Sequence, residues 1–184
     1  MARSAADTPY LRGGRELCVT GCAILWRGRS LLDRAIELVT AFSHCSLIVR
    51  MDEYLGSQDR VATLEALPGG LVPALFSKRA HSFAGEIWLF TPDGLTPAKR
   101  TGIRSFALRE CLTGKGYDYL GFMAAILGHP RKRRGRYFCS EFYAASLDVS
   151  GVRRKASSPH LAPRPGDIPE WWQGELRKLT GPFL

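Results

Sequence analysis

Apolar positions along this chain change their spacing several times, and each change marks a predicted element. Cys18 to Leu25 is a nearly continuous apolar run and reads as a first buried strand. Ser30 then offers a helix cap, with Leu31, Leu32, Ala35, Ile36, Val39 and Phe42 following at helical spacing. His44 to Arg50 has the branched and apolar residues of a strand, ended by the polar turn Asp52 to Arg60. Val61 to Leu67 is another short strand, closed by Pro68-Gly69-Gly70. Glu86 to Phe90 is a further one, stopped by Thr91-Pro92-Asp93-Gly94.

The second half reads as mainly helical. Pro97 to Leu112 is one amphipathic segment, and Tyr117 to Leu127 a second, ended by Gly128 and Pro130. Cys139 to Val149 is a third, with Phe142, Tyr143, Ser146 and Leu147 at helical offsets and Gly151 just past its end. A Pro-rich stretch, Ser157 to Pro169, is expected to cross the surface before a last short helix around Trp171 to Leu179. Residues 1–16 are polar and Arg/Gly-bearing, an expected flexible N-terminal arm, and 17–184 are expected to form a single domain. Strands early and helices around them give an α+β class.

Composition adds limits. At 184 residues, 45% hydrophobic and 23% charged, the chain has material for one core without staples. A net charge of +9 favours acidic partners without saying anything about fold. Its densest part, Arg131-Lys132-Arg133-Arg134-Gly135-Arg136, is expected as a solvated loop and as a candidate contact to an anionic surface. No nucleic-acid motif accompanies it and no aromatic residues interleave it, so no specific nucleic-acid partner is expected.

No apolar run approaches the roughly 18 residues of a transmembrane helix, so none is expected. Val19-Thr20-Gly21-Cys22 resembles a lipoprotein cleavage box, but the apolar stretch after Arg15 is shorter than an h-region of about 7–15 residues. The expected location is cytoplasmic, or exported without a recognisable signal. Cysteines at 18, 22, 45, 111 and 139 make an odd set without framework spacing, which points to free thiols. Cys18 and Cys22 lack a second pair and a knuckle spacing, so no metal is expected, nor any cofactor.

Position separates the five thiols. Cys139, in Tyr137-Phe138-Cys139-Ser140-Glu141, falls at the first turn of a predicted helix. Free N–H groups there favour a thiolate and offer donors to an oxyanion. A small buried cysteine filling the core would occupy the same place. His44 opens a strand, either as a base facing a cleft or as a structural histidine. Glu65 lies in an apolar strand and requires a partner, either a structural Arg or the second ring nitrogen of His44. Ser140 beside Cys139 lacks the helix-terminal advantage of a thiol.

Four blocks in order carry a family resemblance. They are Ser43-His44-Cys45-Ser46-Leu47-Ile48-Val49; Thr63-Leu64-Glu65-Ala66 with Gly70-Leu71-Val72; Gly116-Tyr117-Asp118-Tyr119; and Tyr137-Phe138-Cys139-Ser140-Glu141-Phe142. Together they resemble the circularly permuted, papain-like (YiiX-like) branch of the NlpC-type cysteine peptidase and amidase superfamily. The resemblance implies a permuted papain-like fold, with a small antiparallel sheet packed against helices and the nucleophile at a helix N-terminus. It implies Cys139 as nucleophile, His44 as general base and Glu65 as the residue that orients the imidazole. Tyr117, Ser43 and Ser140 are the candidate substrate-binding residues. Cys45 departs from the family pattern, and strand alternation sends it to the face opposite His44.

The implied activity is amide hydrolysis through an acyl-enzyme, on peptide or amide substrates of cell-wall (peptidoglycan) origin. Two other functions compete with it: an acyltransferase or lipase-like thiol enzyme using phospholipid acyl groups, and a non-catalytic polyanion-binding module.

Overall fold

The computed structural model describes residues 14–51, 60–127, 135–155 and 162–179. Most of the expected arm, most of the Asp52 to Arg60 turn, Arg131 to Arg134 of the basic run and the start of the Pro-rich stretch lie outside the described residues. In chain order the elements are α1 (Arg15–Leu17), β1 (Ala23–Arg27), α2 (Leu31–Glu37), β2 (His44–Arg50), β3 (Val61–Leu67), β4 (Gly70–Leu75), α3 (Phe76–Ser82) and β5 (Glu86–Pro92). They continue with α4 (Pro97–Leu112), β6 (Gly116–Tyr117), α5 (Tyr119–Ile126), β7 (Arg136–Tyr137), α6 (Cys139–Val149), α7 (Ile168–Trp171) and β8 (Gly174–Lys178).

The architecture is α+β. Six antiparallel strands form one sheet in the order β4-β3-β2-β1-β5-β8, and β6 and β7 make a separate parallel pair. Helix α6 lies against β2 and β3, and α4 packs beside it and meets β4. On the other sheet face Phe76 of α3 and Phe83 meet the Trp26 ring edge-on, with centroids 6.2 and 4.8 Å away. This burial on both faces explains why β1, β2 and β3 carry near-continuous apolar runs rather than strict alternation.

Several predicted bounds hold to the residue: β2, β3, α4 and α6. Four expectations need correction. The first strand begins at Ala23 rather than Cys18, because Gly21 sits at φ +100° and folds the preceding residues into a turn. The last segment is not a helix to Leu179. Helix α7 stops at Trp171, and 174–178 pair with β5 as an edge strand, Leu176 opposite Phe90. Gly174 permits that approach, since a side chain there would collide with the Thr91 carbonyl. Helix α5 starts at Tyr119, because Tyr117 belongs to β6 and Asp118 caps the helix by accepting from the Gly121 N–H at 2.9 Å.

The fourth correction concerns α2. Ser30 does cap it, within a capping box closed by Asp33. The helix ends at Glu37, however, and only Ile36 within it is buried. Phe42 lies beyond the helix and packs edge-on against Trp88. Leu31, Leu32, Leu38 and Val39 face solvent. The apolar stripe is therefore real, but most of it points outward.

Candidate active site

Strand register brings the first two candidate residues together. Leu47 pairs with Leu64 and Ile48 with Thr63, a register that sets Glu65 diagonal to His44 on one sheet face. His44 Nε2 stands 3.1 Å from Glu65 Oε2. Both partners weighed for Glu65 are present at once. Arg79, on α3, grips the carboxylate with two forks, Nε to Oε1 at 3.1 Å and Nη2 to Oε2 at 2.9 Å. The Thr63 hydroxyl donates to Oε1 at 2.9 Å. Glu65 is 1% exposed, so these contacts replace the water it has lost.

Trp26 supports this face. It lies directly opposite His44 across β1 and β2, and its indole N–H donates to the Ser46 hydroxyl at 2.6 Å. The Arg79 guanidinium rests 5.5 Å from the Trp26 ring centroid. Arg79, Thr63 and Trp26 were not singled out from the sequence. The usable signal was the demand of a buried Glu65 for a cation, which Arg79 meets within the next helix.

Cys139 is the first residue of α6 and is 2% exposed. It hydrogen-bonds His44, and its sulfur also accepts from the main-chain N–H groups of Cys45 and Ser140. With Nε2 turned to Glu65, the bond to Cys139 falls to the other ring nitrogen, Nδ1. The structure thus brings Cys139, His44 and Glu65 into one hydrogen-bonded chain, extended by Arg79. The side chain of His44 is 19% exposed, which makes it the most solvent-accessible member of the three.

The electrostatics divide the thiols. Burial pushes the Cys139 thiol up, but the charge and hydrogen bond of His44 and the two main-chain donors outweigh it, and the net direction is down. Burial pulls His44 down, yet the Cys139 thiolate and then Glu65 carry it up to about 9. Burial raises Glu65, but His44 and Arg79 bring it down to about 2. The other four thiols move the opposite way. Burial lifts Cys18 to about 12 and Cys111 to about 11, and raises Cys22 and Cys45 as well. Cys139 is thus shifted towards thiolate and His44 towards imidazolium, each charge supporting the other.

Tyr117 is set beside this group by register: it pairs with Tyr137 across β6 and β7, two residues before Cys139. Burial, then the neighbouring Cys139 thiolate, raises its hydroxyl pKa, so it stays a neutral donor. Its ring meets Tyr119 with centroids 4.7 Å apart. The other two candidate substrate residues turn inward. The Ser43 hydroxyl donates to the Trp26 carbonyl at 3.2 Å, and the Ser140 hydroxyl to the Pro163 carbonyl at 2.6 Å. Arg136 is exposed on β7, the described end of the basic run.

Among the described residues, no group of three or more His, Cys, Asp or Glu side chains is placed to hold a metal ion. No described helix is long and apolar enough to cross a membrane.

No family model matches the chain, and no curated protein does. A solved structure does: metalloprotein YiiX from Escherichia coli O157:H7 is similar over 72% of this chain at 21% identity, with a TM-score of 0.54. The chain spans 66% of that neighbour's length. The word metalloprotein describes that neighbour. The fold of this chain is YiiX-like: an α+β unit with an antiparallel sheet packed against helices.

Proposed function

We propose that this chain is a cysteine hydrolase working through an acyl-enzyme, with Cys139 as nucleophile, His44 as general base and acid, and Glu65 as the orienting carboxylate. One observation carries the reading: a helix-terminal thiol of lowered pKa joined to an imidazole whose far nitrogen meets a buried carboxylate. The thiolate adds to the substrate carbonyl carbon, and His44 passes its proton to the leaving nitrogen as the C–N bond breaks. Water then attacks the thioester while His44 takes one of its protons. The free acid leaves, and the ion pair returns. Main-chain N–H groups at the first turn of α6 and the Tyr117 hydroxyl are candidate donors to the oxyanion.

An amide in a cell-wall peptide is the substrate class that the family resemblance brings. Incubation with muropeptides tests it. Product from the natural chain and none from Cys139→Ala supports the reading; equal product from both rejects Cys139. A second reading transfers or releases an acyl group from a phospholipid. It is favoured by the apolar residues that α2 and α5 expose.

A further inference from the structure

Two short helices turn an apolar side outward. On α2 and the residues just after it, Leu31 and Leu38 are each 86% exposed, and Leu32 and Val39 are exposed too. Positions 31, 35 and 38 and positions 32 and 39 form one helical stripe. On α5 and its C-cap, Leu120 is 62% and Leu127 69% exposed, and Tyr119 and Met123 are exposed too. Single exposed apolar residues need no explanation, but two clustered stripes do.

Both stripes belong to the catalytic end of the molecule. The α2 stripe runs straight into Phe42-Ser43-His44, and the α5 stripe follows Tyr117. The segment 162–166 ties the two sides together. Ala162 packs with Ala125 of α5, the Pro163 carbonyl receives the Ser140 hydroxyl, and Arg164 Nη1 donates to the Val39 carbonyl at 2.9 Å. Gly166 N–H adds a bond to the Thr40 hydroxyl at 2.8 Å.

The fully exposed charges on and just before α2 are cationic. Arg29 and Arg34 are exposed within and beside the α2 stripe, and Arg136 is exposed on β7. The acids of the same helix are engaged elsewhere, Asp33 in the capping box and Glu37 3.5 Å from Arg27. A second copy of the chain is the poorer occupant. A two-fold contact over these leucines would draw Arg29 and Arg34 into a largely apolar seam, where each needs an acidic partner from the other copy. Anionic headgroups over an acyl boundary match both the leucines and the arginines.

We propose that the exposed sides of α2 and α5 form a docking face for an anionic lipid surface, which presents the Cys139 end of the protein to that surface. The docking stands independently of the hydrolase reading. The corollary that the substrate is an acyl group held at the lipid surface rests on that reading.

Flotation with vesicles tests the proposal, using the full chain, phosphatidylglycerol–phosphatidylcholine vesicles and pure phosphatidylcholine vesicles. Binding to the anionic vesicles, falling with added salt and weak on the neutral ones, is expected. Leu31→Ser with Leu32→Ser, and separately Leu120→Ser with Leu127→Ser, lower the bound fraction about tenfold, while Arg29→Gln with Arg34→Gln lowers it several-fold. All these positions are exposed, so melting curves stay close to the natural chain. Cys139→Ser floats as the natural chain does. Absence of flotation, or flotation untouched by the leucine substitutions, overturns the proposal. So does a solution dimer that the leucine substitutions dissolve. Intact flotation with a Cys139 no more reactive than the other thiols removes only the acyl-substrate corollary.

Discussion

Glu65 accepts four hydrogen bonds from three side chains, and His44 and Arg79 both hold it in its charged form. Through Oε2 it supports the imidazolium of His44, while Arg79 draws on both oxygens. Arg79 is thus a positioning residue whose charge also tempers the carboxylate. Glu65→Gln removes the anion, so the His44 pKa falls and the alkaline limb of kcat/KM moves below about 9. Arg79→Met removes the cation, so the same limb moves up, by on the order of one unit, and Arg79→Lys largely restores it. The burst of p-nitrophenol from an activated ester, followed against pH, reads both. Shifts of the same sign in both variants reject the assignment. Iodoacetamide offers a simpler check near neutral pH. Cys139 is expected to alkylate well ahead of the other four cysteines, whose thiols are all raised, and His44→Ala is expected to remove that lead.

At the scale of elements, α6 carries Cys139 and is buried along most of its length. Phe142, whose ring lies 5.7 Å from that of Tyr137, is 1% exposed on this helix. Phe142→Ala is expected to cost about 3–5 kcal/mol in urea unfolding. A cost below about 1 kcal/mol would mean that α6 is not packed as described. Helices α4 and α6 were legible because periodicity and bounding residues agree, Pro97 opening the one and Gly151 following Val149 at the end of the other. Strands β2 and β3 were legible because turn residues bound their apolar runs. Strand β4 was not, since Pro73 interrupts its pattern, a residue tolerated here because β4 is an edge. Helix α3 left no periodic trace either, with Phe76 its single buried residue, and so Arg79 went unseen. For β8 the sequence Glu175-Leu176-Arg177-Lys178 suits a helix or a strand equally, and pairing with β5 decides it. The His44–Glu65–Cys139 order was readable only as a resemblance and as separate residue-level alternatives; tertiary packing joins them.

For the whole molecule the shifted groups define a window of stability. Glu65 is lowered from 4.5 to about 2, so its contribution is complete above about 4.5 and is lost as pH falls towards 2. His44 is raised from 6.5 to about 9, so its contribution is complete below about 6.5 and is lost as pH rises through 9. Melting temperature is therefore expected to be highest between these limits, and Glu65→Gln is expected to flatten the acid side. An acid side unchanged in that variant would show that other carboxylates govern it. The placement of the triad along the chain has a further effect. His44, Glu65 and Arg79 come from neighbouring elements, β2, β3 and α3, whereas Cys139 arrives much later on α6. A ribosome therefore makes His44 and its supports well before it makes Cys139. Until α6 docks, the newborn chain carries five equivalent, sluggish cysteines. Under the proposed function, the reactivity of Cys139 arises only once α6 has packed against β2, which spares the growing polypeptide from that chemistry.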